Sequence, residues 1–190
     1  MKKSLFSLAI VALFSVATTT TVSAQKMAKA KTVMVGGAAM YPTKNIVENA
    51  VNSKDHTTLV AAVKAAGLVE TLSSAGPFTV FAPTNEAFDK LPKGTVETLV
   101  KPENKATLTK ILTYHVVAGK MTSADLVKAI KAGKGKATLK TVSGGTLTAM
   151  MKGKSIELKD EKGGVSTVTI ADVMQSNGVI HVVNSVLLPM

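Results

Sequence analysis

Cysteine is missing from this 190-residue chain, and so are tryptophan and arginine, since all 23 of its basic residues are lysine. Without cysteine there is no disulfide scaffold, no thiolate zinc site and no thiol nucleophile. Without arginine the planar fork that pairs with guanine is lost. Aromatics make up only 4% of the residues, and past residue 24 they are Tyr41, Phe78, Phe81, Phe88 and Tyr114, too few to stack a run of bases. Specific reading of nucleic acid is therefore not expected. A polytopic membrane protein is not expected either, because apolar residues total an ordinary 46%.

One apolar run is conspicuous. Lys2 and Lys3 precede Leu5 to Ala17, which is followed by a polar Thr stretch and by Val22-Ser23-Ala24 before Gln25. A basic start, a short apolar stretch and a small-residue site describe a secretory signal peptide over residues 1–24, cleaved between Ala24 and Gln25. The run is too short to cross a hydrocarbon core of ~30 Å at ~1.5 Å per residue. A lipid-accepting cysteine is lacking, so the expected product is secreted or periplasmic, without a membrane span. It would hold 166 residues, one domain's worth. The formal charge of +11 would fall to +9 as Lys2 and Lys3 leave.

Residues 25–42 show no periodicity, contain Gly36-Gly37, and read as a flexible arm ahead of a domain over 43–190. Between Asn45 and Leu72 apolar residues recur at helical steps, with Gly67 where a helix could end. Phe78 to Phe81 reads as a short buried strand stopped by Pro83. Thr84 is placed to cap the next helix, another is expected from near Pro102, and Thr122-Ser123-Ala124-Asp125 has the form of a capping box. Beyond Gly135 the pattern turns to alternation, broken by Gly144-Gly145, Gly153, Gly163-Gly164 and Asn177-Gly178, which are hairpin signals. A helix-rich first half and a strand-rich second half predict an α+β fold with an antiparallel or mixed sheet covered by helices.

Three blocks stand out together: Thr79 to Phe88 (TVFAPTNEAF), Ile111 to Val117 (ILTYHVV) and Asn177 to Pro189 (NGVIHVVNSVLLP). In order and spacing they resemble the two signature motifs and the intervening Tyr-His motif of the fasciclin domain, over roughly Thr43 to Pro189. The chain looks most similar to the single-domain secreted fasciclin proteins of bacteria. That resemblance implies a wedge of β-structure with a helical layer, and adhesion or matrix association rather than catalysis. It also implies contact candidates at Tyr114, His115, Asp172 and Val173, positions matching those implicated in integrin recognition in animal relatives. The last pair departs from the usual Asp-Ile by one methylene.

Read on their own chemistry, Phe81, Pro83, Thr84, Asn85 and Phe88 form a strand-to-helix corner. Tyr114 and His115 would leave a helix for a strand, one pointing into the core and the other outward. His181, between Val179-Ile180 and Val182-Val183, is expected to be neutral and satisfied by a hydrogen bond, and Asn184 completes the motif.

No catalytic pattern emerges. Gly153-Lys154-Ser155 lacks the first glycine of a phosphate loop, a position held by Thr148, and reads as a turn. His56, His115 and His181 have no paired-ligand spacing, there is no G-x-S-x-G, and no calcium loop is present. No metal and no cofactor are expected. From Lys128 to Lys162 nine lysines face Glu157, Asp160 and Glu161; gathered on one side, they would attract acidic polysaccharide. The expected function is a non-enzymatic adhesion or extracellular-matrix module whose partners are cell-surface or matrix proteins or acidic polysaccharides, with weak self-association. The competing expectation is a small-molecule or lipid carrier with a cleft between helices and sheet, lined in part by the eight methionines after residue 24.

Overall fold

The computed structural model describes residues 32–190. The expected signal peptide of residues 1–24 and the start of the expected arm lie outside the described residues. What is described of that arm is folded. Strands β1 (Val33–Val35) and β2 (Ala38–Met40) pair as a hairpin across Gly36-Gly37, whose φ values of 57° and 76° suit the two-residue turn that matches strand twist. A Cβ on Gly36 would overlap Ser53 Oγ and the Asp55 amide, so the glycine lets the hairpin lie against that segment. Val35 and Met40 are buried. The sequence, which lacks alternation there, suggested mobility; two inward apolar side chains and a glycine pair were enough to dock it.

The helical pattern of residues 45–72 divides into α1 (Ile46–Ala50), α2 (Thr57–Ala66) and α3 (Val69–Ser73). Asn45 and Glu48 cap α1 reciprocally. Leu59, Ala62, Val63 and Ala66 make one face of α2, and Gly67 ends the helix in the left-handed region, where Leu68 N donates to the Val63 carbonyl. Strand β3 (Phe78–Pro83) leads into α4 (Asn85–Asp89), α5 (Thr95–Leu99) and α6 (Lys105–Tyr114). Strand β4 (Val116–Ala118) precedes α7 (Ser123–Ala132), which Thr122 and Asp125 cap reciprocally, as expected. Strands β5 (Lys136–Lys140), β6 (Thr146–Lys152), β7 (Ser155–Lys159), β8 (Val165–Gln175) and β9 (Gly178–Val183) complete the chain.

The seven strands β3 to β9 form one sheet in the order β4-β3-β9-β8-β7-β6-β5. All pairs are antiparallel except β3 with β9, which run parallel, so the sheet is mixed and the fold is α+β. Alternation along the central strands sends side chains into two cores. Val80, Ala82, Ile180 and Val182 meet the apolar faces of α1, α2, α3 and α6 and the β1–β2 hairpin on one side. On the other side Phe81, Val183, Leu139, Leu147, Ala149 and Leu158 meet Leu126 and Ile130 of α7. Strand β8 serves both. Its register shifts between Val168 and Ile170 and again before Val173, so that Val168 joins the α7 core whereas Ile170 joins the other.

Candidate functional site

The motif residues turn out to be joints between elements. Phe81 is fully buried and stacks on His181 with ring centroids 5.7 Å apart. Pro83 ends β3, Phe88 packs under the helices, and Thr84 N donates to the Val183 carbonyl at 3.3 Å. Thr84 is the residue before α4, but its side chain makes no cap bond. Its neighbour Asn85 caps a different helix: its Oδ1 accepts from Thr58 N at 3.0 Å in the first turn of α2, and its Nδ2 donates to the Lys54 carbonyl at 2.8 Å. Asn184 Oδ1 accepts from Thr167 N at 2.9 Å, tying β8 to the segment after β9.

The three histidines are all buried. His181 is saturated: Nε2 donates to the Met121 carbonyl at 2.9 Å and Nδ1 accepts from Asp172 N at 3.3 Å. This is the neutral, hydrogen-bonded ring expected from its apolar flanks, and burial lowers its pKa. His115 is saturated as well, with Nδ1 donating to the Ile111 carbonyl at 2.9 Å and Nε2 accepting from Leu187 N at 3.0 Å. Complete burial pushes its pKa down to about 4 against the pull of the Ile111 carbonyl and Asp160. His56 bonds Ser53 Oγ through Nδ1 at 2.9 Å, and burial lowers its pKa too, opposed by the Ala82 backbone and Asp55.

The four contact candidates sit mostly inside. Tyr114 is the last residue of α6 and His115 its C-cap, so strand alternation does not apply, and both are buried rather than one inward and one outward. The Tyr114 hydroxyl donates to the Thr146 carbonyl at 2.6 Å and accepts from Glu161 N at 3.2 Å. Burial, with the Glu161 and Asp160 carboxylates adding to it, raises its pKa to about 12. Val173 is buried. Asp172 is half-buried, has φ 59°, and accepts from Ser123 N at 2.7 Å and from Ser123 Oγ, which charges the N-terminus of α7 favourably. Asp172 N donates to His181, whereas Tyr114 and His115 bond to Thr146, Glu161, Ile111 and Leu187, so the four candidates are not brought together on one surface.

Sequence reasoning missed Asn177 as anything more than a turn residue. Its Oδ1 accepts from Ile46 N at 3.0 Å, and its Nδ2 donates to the Leu72 and Ser74 carbonyls at 2.8 and 2.9 Å, so one amide ties α1 and α3 to the sheet. The Asn-Gly pair marks the turn, but nothing local announces partners a hundred residues away.

A further surface is the face of the sheet turned away from α7. Residues opposed across antiparallel strands project from the same face, and the register sets Lys136 beside Met150 and Glu157, and Thr138 beside Thr148 and Lys159. Lys140 and Lys152 share that face by alternation, while Ala137, Leu139, Leu147, Ala149 and Leu158 point at α7. The register thus gathers Lys136, Lys140, Lys152 and Lys159, all exposed, with two carboxylates beside them: Glu157, which Lys152 Nζ approaches to 3.0 Å, and Glu161, whose Oε1 accepts from Thr146 Oγ1 at 3.3 Å at the edge of the face. Lys128 and Lys131 lie on α7, across the sheet, so the basic stretch divides between two sides.

Between helices and sheet lies a cavity of about 60 Å³, lined by Val80, Phe81 and Ala82 below and by α1, α2 and α3 above. That is well short of the ~300 Å³ at which drug-sized ligand pockets begin. Met40 is the one methionine on its wall. Among the described residues no group of three His, Asp or Glu could hold a metal ion, and no helix is long and apolar enough to cross a membrane.

Comparison with known proteins agrees with this architecture. The protein sll1483 of Synechocystis is 46% identical over 176 residues, which is 93% of this chain and 91% of the relative. Immunogenic protein MPB70 of Mycobacterium bovis is 38% identical over 143 residues, 73% of this chain and 65% of that protein. Among solved structures, a FAS1 domain pair from the insect cell adhesion molecule fasciclin I shares the fold with a TM-score of 0.69 at 19% identity, covering 78% of this chain and 52% of that one. The family model described as Fasciclin domain matches residues 54–189, and with the joints of its signature motifs seated as above, this chain belongs to the fasciclin domain family.

Proposed function

We propose that this chain is a non-enzymatic adhesion module, exported from the cytoplasm, whose bare sheet face binds acidic polysaccharide. The observation that carries the reading is the juxtaposition of Lys136, Lys140, Lys152 and Lys159 on the sheet face turned away from α7, where four lysines outnumber Glu157 and Glu161. Thr138 and Thr148 on the same face supply hydroxyls for sugar oxygens. The buried histidines and Tyr114 have their polar atoms committed to the fold, with the exception of His56, which favours contact over catalysis as the work of the surface. The relationship to a protein described as a cell adhesion molecule supports the same assignment.

Attraction of this kind weakens as salt shortens the Debye length from ~10 Å at 0.1 M to ~3 Å at 1 M. The test is retention of residues 25–190 on immobilised alginate or heparin. Elution below molar salt, lost when Lys136, Lys140 and Lys159 are all changed to Glu, supports the reading. Retention unaffected by salt or by that triple substitution overturns it.

A further inference from the structure

Asn177-Gly178 is the single Asn-Gly pair of the chain. Asparagine before glycine is the dipeptide most prone to cyclise, because no side chain shields the amide nitrogen that follows it. The side chain that would react is also the one that fastens the helical cover to the sheet. Asn177 is buried, its Oδ1 accepts from Ile46 N at 3.0 Å, and the two hydrogens of its Nδ2 go to the Leu72 and Ser74 carbonyls at 2.8 and 2.9 Å. A reactive amide and a structural fastening are thus the same group.

The backbone of the pair is held as well. The Asn177 carbonyl accepts from Phe78 N at 3.1 Å, and Gly178 stands opposite Gln175 of β8 on one side and Phe78 of β3 on the other. A Cβ on Gly178 would overlap the Phe78 carbonyl, and one on Gly76 would overlap the Asn177 carbonyl, so the peptide lies between two strands with no space in which to turn. Cyclisation requires Gly178 N to reach Asn177 Cγ, a rotation about the Asn177 backbone and side chain that breaks all four of these hydrogen bonds. The pair stays inert for as long as α1, α3 and β3 are docked on it.

We propose that Asn177 is a deamidation site gated by the helical cover: closed in the folded molecule, open when α1 and α3 leave the sheet, and irreversible once it has reacted. Gly178 N bonds to Asn177 Cγ, the Cγ–Nδ2 bond breaks, and Nδ2 departs as ammonia with the proton that Gly178 N gives up. Water then opens the resulting five-membered imide at either carbonyl, leaving aspartate or isoaspartate. Water is the sole co-reactant. Either product spoils the fastening. A carboxylate has no hydrogen for the Leu72 and Ser74 carbonyls, which then face an acceptor, and isoaspartate lengthens the main chain by one carbon and moves Gly178 out of step with Phe78. A molecule that opens long enough to react cannot close as before, so the frequency of local opening sets the working life of the fold. This site is independent of the basic sheet face and stands or falls without it.

The full chain, held in mildly alkaline buffer either folded or in urea above its unfolding midpoint, decides the matter when its peptides are followed by mass spectrometry and the released ammonia is counted. Conversion at Asn177 is expected to run at least about a hundredfold faster in urea, since the folded rate scales with the fraction of molecules whose cover is open. Leu72→Ala removes a side chain from the core beneath α3 and keeps the carbonyl that Asn177 binds; it should speed conversion in the folded protein about tenfold or more and leave the rate in urea unchanged. Asn177→Asp, which installs one product directly, should melt lower than wild type and exchange the amides of α1 and α3 faster. Should Leu72→Ala fail to fold, the wild-type ratio and Asn177→Asp answer alone. Equal rates in the folded and unfolded chain, no acceleration in folded Leu72→Ala, or wild-type melting and exchange in Asn177→Asp each overturns the assignment.

Discussion

One face of the sheet is built in two ways. Over β4, β3 and β9 it carries Val80, Ala82, Ile180 and Val182, roofed by α1, α2, α3 and α6. Over β7, β6 and β5 it carries lysines, threonines and Met150 and has no roof. The backbone is continuous and the pleat is the same, so the difference lies in what the side chains offer. Branched aliphatics gain ~1.5–3 kcal/mol apiece from burial, whereas lysine loses by it. A single sheet thereby acts as a scaffold at one end and presents a surface at the other.

The largest expected contrast comes from matched truncations on the two halves. Ile180→Ala should lose ~2–5 kcal/mol of unfolding free energy in urea, because the roof cannot collapse fully into the space. Thr138→Ala, on the same face but exposed, should stay within ~0.5 kcal/mol. Equal losses would mean that the open half is covered in solution.

Acid should weaken the roofed half selectively, since His56 and His115 lie under it and His181 joins it to α7. All three have folded pKa values below the unfolded value near 6.5, so the unfolded chain takes up protons first as pH falls. Stability is then fully present above about pH 6.5 and drains as pH drops toward 4, where His115 itself protonates. For His115 alone the shift from 6.5 to about 4 corresponds to roughly 3 kcal/mol. Urea midpoints measured at pH 7 and pH 4.5 should show the fall, and His115→Gln should reduce it. A flat profile would sink the argument.

Asn177→Ala tests what fastens the roof to the sheet. It strands the Ile46 amide and the Leu72 and Ser74 carbonyls, and should cost ~2–3 kcal/mol together with faster amide exchange in α1 and α3. The smallest effect on folding belongs to the triple change of Lys136, Lys140 and Lys159 to Glu. Melting is expected to shift little while polysaccharide retention disappears, and a large melting shift would show that these lysines serve the fold.

Much of this was legible in the chain itself. Periodicity located α2, α6 and α7, the glycine pairs located the hairpins, and the capping box at Thr122 formed as written. Three motif blocks pointed to the family. The misses share a cause, which is that local pattern carries no information about distant cover. The β1–β2 hairpin looked like an arm because its two buried residues gain their cover from segments downstream. Tyr114 and His115 were assigned strand geometry, but α6 extends one residue further than Pro102 and the apolar spacing alone could fix, and tertiary packing covers both sides of that corner. The lysine-bearing face was legible only as a possibility, because register, not composition, decides which lysines become neighbours.

The parallel pairing of β3 with β9 joins Phe78 to Gly178 and Pro83 to Val183, partners separated by a hundred residues. At a ribosomal pace of ~5–20 residues per second, a newly made β3 waits roughly 5–20 seconds for the strand that completes the middle of its sheet. During that interval Val80, Phe81 and Ala82 are an unshielded adhesive stripe on a nascent polypeptide. A formal charge of +11 on the unfolded chain repels like copies and so opposes the pairing of such stripes until the last strand arrives.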